Sequence, residues 1–378
     1  MIKLYDENAY IKEFTAKVLA CKKCEKGYEI LLDKTAFFPE AGGQLADKGT
    51  LDGAEVLDVQ IKEETVYHYT KTPLEVGKTV KGEIDFERRF NFMQNHSGEH
   101  IISGIVNSIY GFDNVGFHLS EEFATIDFNG ILDREQLDQI EILANKCVFE
   151  NADIKAFYPT DEQLKNIKYR SKKELDGAIR IVQIGNTDIC ACCAPHVSKT
   201  GEIGIIKLLD FERMRGGIRI IFKCGSFALL DYQNKYKNIS EISALLSAKQ
   251  NETAEAVKQL DQKATKLNQE IQNLKKRMIN IIVSSFSEDK NVGFYEDFDV
   301  RELQLLADSL HKTYGGLKAV FSKTEQGYSF AICDEEDALD EFFKNFKANF
   351  NVRGGGRNGM VQGSVLASMD ELKNFIEN

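Results

Sequence analysis

No run of apolar residues in the 378-residue sequence approaches the roughly 18 residues that a membrane-spanning helix needs. The opening stretch, MIKLYDENAY, has acidic and polar residues where the apolar part of a secretory signal would lie. The chain is 43% hydrophobic and 28% charged, which is an ordinary balance for a globular protein. We therefore expect a cytoplasmic protein with no membrane partner, long enough for two or three domains.

A disulfide framework is also lacking, because the eight cysteines are irregularly spaced along a long chain. Cys21 and Cys24 form a CxxC pair, but no second such pair accompanies them, and we expect this pair near a hairpin turn. The cysteine pattern predicts free thiols or metal ligands.

An excess of basic residues is absent as well, since the formal net charge is −11. Nucleic-acid binding usually leaves a basic footprint, so the overall charge argues against it. Basic residues nevertheless cluster locally, and each cluster is either a solvated face or a contact for phosphate groups. These clusters lie at residues 168 to 173, 213 to 223 and 344 to 357.

Four segments follow one another along the chain. Residues 1 to about 88 alternate apolar and polar residues in short runs between turns, which predicts a small β-barrel or sandwich. Residues 89 to 225 mix helical and strand patterns, and residues 282 to 378 combine both before a glycine-rich loop. The predicted fold class is multidomain α+β, with an N-terminal β-barrel, an α+β domain, a long helix and a C-terminal α/β domain.

The long helix is predicted because no Gly or Pro occurs between Gly225 and Gly293. Apolar residues recur there at spacings of three and four, which is typical of a heptad seam, although Gln250 and Thr253 weaken the stripe one turn earlier. We expect one paired, coiled-coil-like helix over residues 226 to 281. Its partner is either a second copy of the chain or a helix folded back within it. The seam consists of Val257, Leu260, Ala264, Leu267, Ile271, Leu274, Met278 and Ile281.

Two of the six histidines stand four residues apart in the segment MQNHSGEHIISG. This spacing puts His96 and His100 on one helix face, where they are either hydrogen-bonded side chains or metal ligands. Cys192 and His196 have the same spacing, and Pro195 places them on a turn. Imidazole and thiolate suit zinc better than calcium or magnesium, so the two pairs predict a zinc site. The alternative is a set of buried thiols and hydrogen-bonded histidines.

The segments that contain these two pairs resemble motifs of a known family. HSGEH and CCAPHVSKTGEIG are similar to the HxxxH and CxxxH elements of the editing domain of alanyl-tRNA synthetases and of free-standing alanyl-tRNA editing proteins. FFPEAGGQLADKGTL resembles a stretch of the family's N-terminal barrel, and NVRGGGRNGMVQGS resembles the glycine-rich signature of its C-terminal DHHA1 domain. The resemblance covers the chain in the order of the long form of the editing protein. No segment resembles the class II aminoacylation domain.

The resemblance implies an aminoacyl-tRNA deacylase that hydrolyses mischarged tRNA(Ala), chiefly Ser-tRNA(Ala), with Gly-tRNA(Ala) as a second candidate, and that cannot attach amino acids. It implies one zinc ion held by His96, His100, Cys192 and His196. The family often has Gly-Gly-Thr at residues 193 to 195, where this chain has Cys-Ala-Pro. Cys193 is therefore an alternative thiol ligand.

The resemblance also implies that the C-terminal domain binds tRNA. Gly354, Gly355 and Gly356 lie between Arg353 and Arg357. This arrangement would let backbone amides and two guanidinium groups approach phosphates closely. A homodimer through the long helix and the C-terminal domain is a further expectation.

Three residues are candidates for catalytic roles. Ser97 would hydrogen-bond the hydroxyl of a misattached serine, or it is a serine on the helix surface. Glu99 would act as general base or orient a ligand, or it is a solvated glutamate. Gln44 would lie near the end of the tRNA, or its Gly-Gly-Gln stretch is only a hairpin turn. Zinc itself would either activate water or position the terminal adenosine.

Two rival functions stay open from the sequence. HSGEH also satisfies the HxxEH pattern of a zinc peptidase, in which zinc keeps an open coordination position that Cys192 and His196 would fill here. The other rival is a non-catalytic RNA-binding protein with a structural zinc ion.

Overall fold

The computed structural model describes residues 1–171 and 178–377, so the basic cluster predicted at 168 to 173 lies partly outside the described residues. The chain divides into two compact units, Met1–Glu241 and Ile242–Asn378. The division after Glu241 falls within the helix Gly225–Leu246, which begins where the sequence predicts the end of the second segment. Among the described residues, no helix has the length and apolar character to cross a membrane.

The first part of the chain is a closed barrel. Exposed and buried residues alternate along its first long strand, where Phe14, Ala16 and Val18 point into the barrel core. The barrel closes in the order β2-β3-β7-β6-β5-β8, and β1 pairs in parallel with β4. The elements are β1 (Ile2–Lys3), α1 (Leu4–Glu7), β2 (Glu13–Cys24), β3 (Gly27–Leu32), β4 (Lys34–Thr35), β5 (Gly49–Leu51), β6 (Ala54–Lys62), β7 (Thr65–Thr70) and β8 (Thr79–Ile84).

A buried helix, α2 (Phe86–Tyr110), follows the barrel directly. The carboxylate of Asp85 caps its first turn by accepting from the Arg88 amide, and Gly111 ends it in the left-handed conformation. Every residue from Phe92 to Val106 is buried, because α2 packs between elements of the second domain. Polar side chains of α2 in this stretch therefore need internal partners.

The rest of this domain surrounds α2 with two antiparallel sheets, in the orders β14-β15-β10-β9 and β11-β12-β13. A capping box of Asp133 and Gln136 starts the amphipathic helix α3. The elements are β9 (Asn114–Leu119), β10 (Ala124–Phe128), α3 (Arg134–Phe149), β11 (Ile154–Phe157), α4 (Asp161–Asn166), β12 (Ile181–Ile184), β13 (Asp188–Ala191), a 3-10 turn (Thr200–Ile203), β14 (Ile206–Met214) and β15 (Gly217–Cys224).

A fully buried ion pair ties the barrel to α2. The Arg89 guanidinium contacts the Asp47 carboxylate and the Ala36 carbonyl, and both charged side chains are fully buried. Asp47 also accepts from the Phe38 amide at 2.6 Å, while its own amide donates to the Phe38 carbonyl at 3.0 Å. The stretch between these two residues, which contains Gln44, is thus fixed against the helix that carries His96.

The prediction of one long helix over residues 226 to 281 is wrong. Helix α5 (Gly225–Leu246) ends before Ser247, which has a φ of 50°, and a 3-10 turn (Gln250–Glu252) precedes α6 (Thr253–Ser285). Polar side chains complete the break, since the Ser243 hydroxyl donates to the Ala248 carbonyl. The break lies where the apolar stripe is weakened, so an absence of Gly and Pro did not guarantee a continuous helix.

The second unit also contains a five-stranded sheet in the order β16-β17-β18-β20-β19. Helix α7 and the end of α6 pack on one face, and α8 and α9 pack on the other. The elements are β16 (Val292–Tyr295), α7 (Val300–Tyr314), β17 (Lys318–Thr324), β18 (Gly327–Cys333), α8 (Glu336–Asn349), β19 (Asn351–Arg357), β20 (Met360–Leu366) and α9 (Met369–Glu377).

The predicted glycine-rich loop is instead the edge strand β19. A Cβ atom on Gly354 would collide with the Gln362 carbonyl oxygen of β20, and one on Gly356 would collide with the Met360 carbonyl oxygen. Glycine therefore serves close pairing of the two strands here rather than a turn. Arg353 and Arg357 lie on this strand, where Arg353 directly precedes Gly354 and Arg357 directly follows Gly356.

Candidate metal centre

Four side chains from two distant parts of the sequence meet beside α2. His96 and His100 come from the helix, while Cys192 and His196 come from the segment after β13. Their ligand atoms all lie within 4.8 Å of one another. The Cys192 Sγ lies 3.5 Å from His96 Nε2 and 3.4 Å from His196 Nε2. Cys193 is outside this cluster and its side chain is exposed.

Each imidazole of the cluster is held by a partner on its other nitrogen. His96 Nδ1 lies 2.9 Å from Gln44 Oε1, and His100 Nδ1 lies 3.0 Å from Asp188 Oδ2. These oxygens are acceptors, so they favour a proton on Nδ1 and leave the Nε2 lone pairs directed at the centre of the cluster. This is the usual support for histidines that bind a metal.

The third histidine is supported by Ser97. The Ser97 hydroxyl oxygen lies 3.0 Å from His196 Nδ1 and accepts from the Val197 amide at 3.3 Å. Ser97 is fully buried, so the alternative of a surface serine is wrong. Its hydroxyl is used to orient the turn that carries His196.

The cluster passes a test of fit for zinc. Three nitrogens and one sulfur are the donors that zinc prefers, and a tetrahedron with normal zinc bonds separates neighbouring donors by about 3.5 Å. The two distances from Cys192 Sγ, 3.5 Å and 3.4 Å, agree with that separation. The arrangement is compatible with a four-ligand site.

The electrostatics of the cluster also suit a cation. Burial raises the pKa of the Cys192 thiol, but the neighbouring histidines outweigh burial and hold that pKa well below its usual value. Burial lowers the pKa of His196 to about 3. At His100, burial opposes the charged form, yet Glu99 and Asp188 hold the pKa well above its usual value. The surroundings of His100 thus favour positive charge, which a metal ion would supply.

Glu99 is only 1% exposed, so the alternative of a solvated glutamate is wrong. Its Oε1 accepts from the Ser103 hydroxyl at 2.7 Å and from the Asn114 side-chain amide. Its Oε2 lies 3.6 Å from His100 Nε2, on the side of the candidate metal. The sequence pattern did not identify Ser103 or Asn114, because nothing in their local spacing distinguishes them.

The Gly-Gly-Gln stretch is both a tight turn and part of the centre. Ala41 and Gln44 pair across the turn, and Gly42 and Gly43 have φ values of 61° and 84°. A Cβ atom on Gly43 would collide with the Phe117 carbonyl oxygen, so glycine is required there. The turn delivers the fully buried Gln44 side chain to His96.

Two arginines organise the centre, of which sequence reasoning missed Arg180 and assigned Arg170 only to a basic cluster. The Arg180 guanidinium donates to the carbonyls of Cys192 and Ala194 at 3.0 Å and 2.9 Å, which fixes the turn that carries the thiol. Arg170 pairs with Asp188, whose pKa burial would raise but which the bonds from His100 and Arg170 hold below its usual value. The available signal was Asp188 of strand β13, because a charged residue in a buried strand needs a partner.

Two family models match parts of the chain. A family model described as the Threonyl and Alanyl tRNA synthetase second additional domain matches residues 179–222, which include Cys192 and His196. A model described as tRNA synthetases class II (A) matches residues 5–88, which form the barrel. The barrel and the segment that carries Cys192 and His196 are thus similar to domains described for aminoacyl-tRNA synthetases.

The chain is similar over nearly its whole length to an alanyl-tRNA editing protein, which is the resemblance that the sequence motifs indicated. It is 27% identical to Alanyl-tRNA editing protein AlaX-L of Pyrococcus horikoshii over 98% of this chain and 96% of that protein. Alanyl-tRNA editing protein Aarsd1 of Bos taurus is 28% identical over 76% of this chain and 68% of that protein. Alanine–tRNA ligase of Pyrococcus furiosus is 30% identical over 99% of this chain, which spans only 43% of the ligase.

Proposed function

We propose that this protein is an aminoacyl-tRNA deacylase that hydrolyses mischarged tRNA(Ala), chiefly Ser-tRNA(Ala), without attaching amino acids itself. One observation carries this proposal. A cluster of three Nε2 atoms and one thiol, each histidine held on Nδ1, lies in a chain similar over nearly its whole length to a protein named for alanyl-tRNA editing.

His96, His100, Cys192 and His196 would hold the zinc ion. A bound zinc ion can polarise an ester carbonyl and lower the pKa of a bound water. Four protein ligands usually close a zinc site, so positioning of the tRNA end is an equally consistent role for the metal. The residues Gln44, Asp188 and Ser97 keep the histidines in place for either role.

Glu99 is the residue that we assign as general base. Ser103 and Asn114 hold one carboxylate oxygen, while the other lies on the side of the metal centre. The carboxylate would take a proton from the attacking water as its oxygen bonds to the ester carbonyl carbon. The proton then passes to the ribose oxygen when the ester bond breaks, which yields free serine and tRNA.

The C-terminal domain would contact the body of the tRNA. Arg353 and Arg357 lie on the exposed edge strand β19, where Gly354 to Gly356 leave its backbone open to phosphates. We also propose a homodimer through α6, because its apolar seam is exposed: Leu260 is 55%, Leu267 is 49% and Leu274 is 56% exposed.

A deacylation assay tests the proposed function. Purified protein should release serine from Ser-tRNA(Ala) faster than alanine from Ala-tRNA(Ala), and removal of zinc by a chelator should abolish the reaction. The second candidate function is tRNA binding with a structural zinc, which the four-ligand cluster favours. That function would give zinc content and tRNA binding without any release of amino acid, and this result would overturn the proposed enzyme.

A further inference from the structure

Arg170, Asp188 and His100 form a line of three charged or polar groups that ends at the candidate metal. Arg170 Nε donates to Asp188 Oδ1 at 2.7 Å, and Arg170 Nη2 donates to Asp188 Oδ2 at 2.9 Å. Asp188 Oδ2 in turn accepts from His100 Nδ1 at 3.0 Å. The guanidinium fork thus engages both oxygens of the carboxylate that holds a metal-binding imidazole.

The backbone fixes this line from two sides. The Arg170 amide donates to the Ile189 carbonyl at 2.8 Å, and the Ala191 amide donates to the Arg170 carbonyl at 2.9 Å. These bonds place Arg170 beside strand β13, which begins at Asp188. Gly104 of α2 approaches so closely that a Cβ atom there would collide with the Thr187 carbonyl oxygen. Asp188 is therefore held directly beside the helix that carries His100.

The burial of Asp188 explains why a cation is needed at this position. The Asp188 side chain is 2% exposed, and both of its carboxylate oxygens accept from Arg170. The Arg170 cation spares Asp188 the large cost of an unpaired buried carboxylate.

The two hydrogen bonds from Arg170 also restrict the other interactions that the Asp188 carboxylate can make. His100, Asp188 and Cys190 form a second group of side chains that could bind a metal by distance alone. Because Arg170 engages both carboxylate oxygens and brings a positive charge, a second cation is disfavoured at this group. Asp188 is left with one function towards the centre, which is to accept the Nδ1 proton of His100.

We infer that Arg170 is a positioning residue of the metal centre, which acts through Asp188 to hold His100 for zinc. In the sequence, Arg170 belongs to a basic cluster that was a candidate for phosphate contact. Its guanidinium group is bound to Asp188, so Arg170 is no longer a candidate for that contact. The inference rests on the zinc centre of the proposed function.

The test compares two arginines that make the same fork. Arg219 donates to Asp127 with distances of 2.7 Å and 2.8 Å, but it joins β15 to β10 and does not contact the cluster. Arg170→Gln should weaken zinc affinity by about 10-fold in competition with a chelator, which is typical for loss of a residue that supports a metal ligand. Arg219→Gln should bind zinc as tightly as the unmodified protein. Equal affinities for the two variants would overturn the inference.

A second pair of variants keeps the test informative if Arg170→Gln folds poorly. Arg170→Lys keeps the charge and loses the fork, so it should recover part of the zinc affinity. Asp188→Asn should weaken zinc binding, and addition of Arg170→Gln to it should have little further effect because both act through one path. Independent, multiplying effects would contradict that path. If the unmodified protein itself binds no zinc, the proposed metal centre and the role of Arg170 both fail, whereas zinc bound equally well by the unmodified protein and Arg170→Gln overturns the role of Arg170 alone.

Cobalt substitution gives a readout that is independent of activity. The absorption of Co²⁺ bound to thiolate and imidazole reports the geometry of the ligands. Arg170→Gln should alter this spectrum, whereas Arg219→Gln should not. A general loss of stability would lower the unfolding temperature of both the metal-free and metal-loaded forms equally and leave the spectrum unchanged, and that result would also count against the inference.

Discussion

Gln44 Oε1 of the barrel lies 2.9 Å from His96 Nδ1 of α2, so the first domain supplies direct support to the candidate metal centre of the second. The buried Arg89–Asp47 pair fixes the stretch that carries Gln44 to the same helix. The barrel therefore contributes a side chain to the site, because its glycine-rich turn places the Gln44 side-chain amide beside His96.

The first prediction follows from this contact. Gln44→Ala should weaken zinc binding by about 10-fold or more and slow deacylation, because His96 loses the acceptor for its Nδ1 proton. Gln44→Glu keeps an acceptor and should retain more zinc. Gln60→Ala on β6, whose side chain binds Glu40 and Asp58, is the matched control and should change neither measurement. Unchanged metal content in Gln44→Ala would show that the contact is dispensable.

The identity of the thiol ligand gives a second prediction. Cys192→Ala should lose zinc, because Cys192 Sγ lies within 3.5 Å of two ligand nitrogens. Cys193→Ala should retain it, because that exposed side chain is outside the cluster. Metal analysis of the two purified variants checks this directly. Zinc retained in the first and lost in the second would reverse the assignment.

The sequence alone identified the candidate ligands, with Cys193 as an alternative to Cys192, because a spacing of four residues is a local pattern that a helix or turn translates into proximity. It did not identify Asp188, Arg170 or Asn114. These residues reach the centre through strand pairing and long-range packing, and no local period marks such contacts. Ser97 and Glu99 were noted for their position beside His96 and His100, but their contacts required the structure.

Local patterns had the same limit in the fold. The alternation of apolar and polar residues over residues 1 to about 88 predicted the short strands that form the barrel. The same reasoning joined α5 to α6, since one left-handed residue at Ser247 interrupts a stretch without Gly or Pro. It also predicted a loop over the residues that form β19, where glycines allow close approach to the paired strand β20.

The third prediction separates two roles for Ser97. Its contact with His196 predicts that Ser97→Ala slows hydrolysis of Ser-tRNA(Ala) and Ala-tRNA(Ala) by a common factor and weakens zinc binding. If Ser97 instead reads the serine hydroxyl, the preference between the substrates would narrow by about 1–2 kcal/mol with zinc affinity unchanged. Ser108→Ala, an exposed serine on the same helix, should leave both rates unchanged.

A fourth prediction concerns the general base. Glu99→Gln should lower the turnover rate by about 10²–10⁴-fold, because the amide cannot take a proton from water. The four ligands are unaltered, so zinc content should remain near that of the unmodified protein. Glu87→Gln, at an exposed position in the first turn of α2, is the control. Full activity in Glu99→Gln would leave Glu99 only a structural role beside His100.

The last prediction concerns how an acidic protein holds tRNA. The first compact unit ends at Glu241, so truncation should follow that residue. Truncation after residue 225 would remove the buried Ala228 of α5. The truncated protein should show a higher KM and a weaker dependence on salt, because phosphate contacts are lost, while turnover at saturation stays largely intact. It should also shift any dimer towards monomer, because α6 is removed.

The double substitution Arg353→Ala and Arg357→Ala in the full chain removes the proposed phosphate contacts but keeps α6. It therefore tests those contacts separately. We expect this double variant to raise KM and weaken the salt dependence as the truncation does, while the oligomeric state measured by light scattering stays unchanged. Lys323→Ala with Lys347→Ala removes two charges elsewhere in the same unit and should leave KM nearly unaltered. If the arginine variant instead keeps the KM and salt response of the unmodified protein, β19 is not the tRNA contact. The exposed Lys168 beside Arg170 then becomes the better candidate, because Arg170 itself is committed to Asp188.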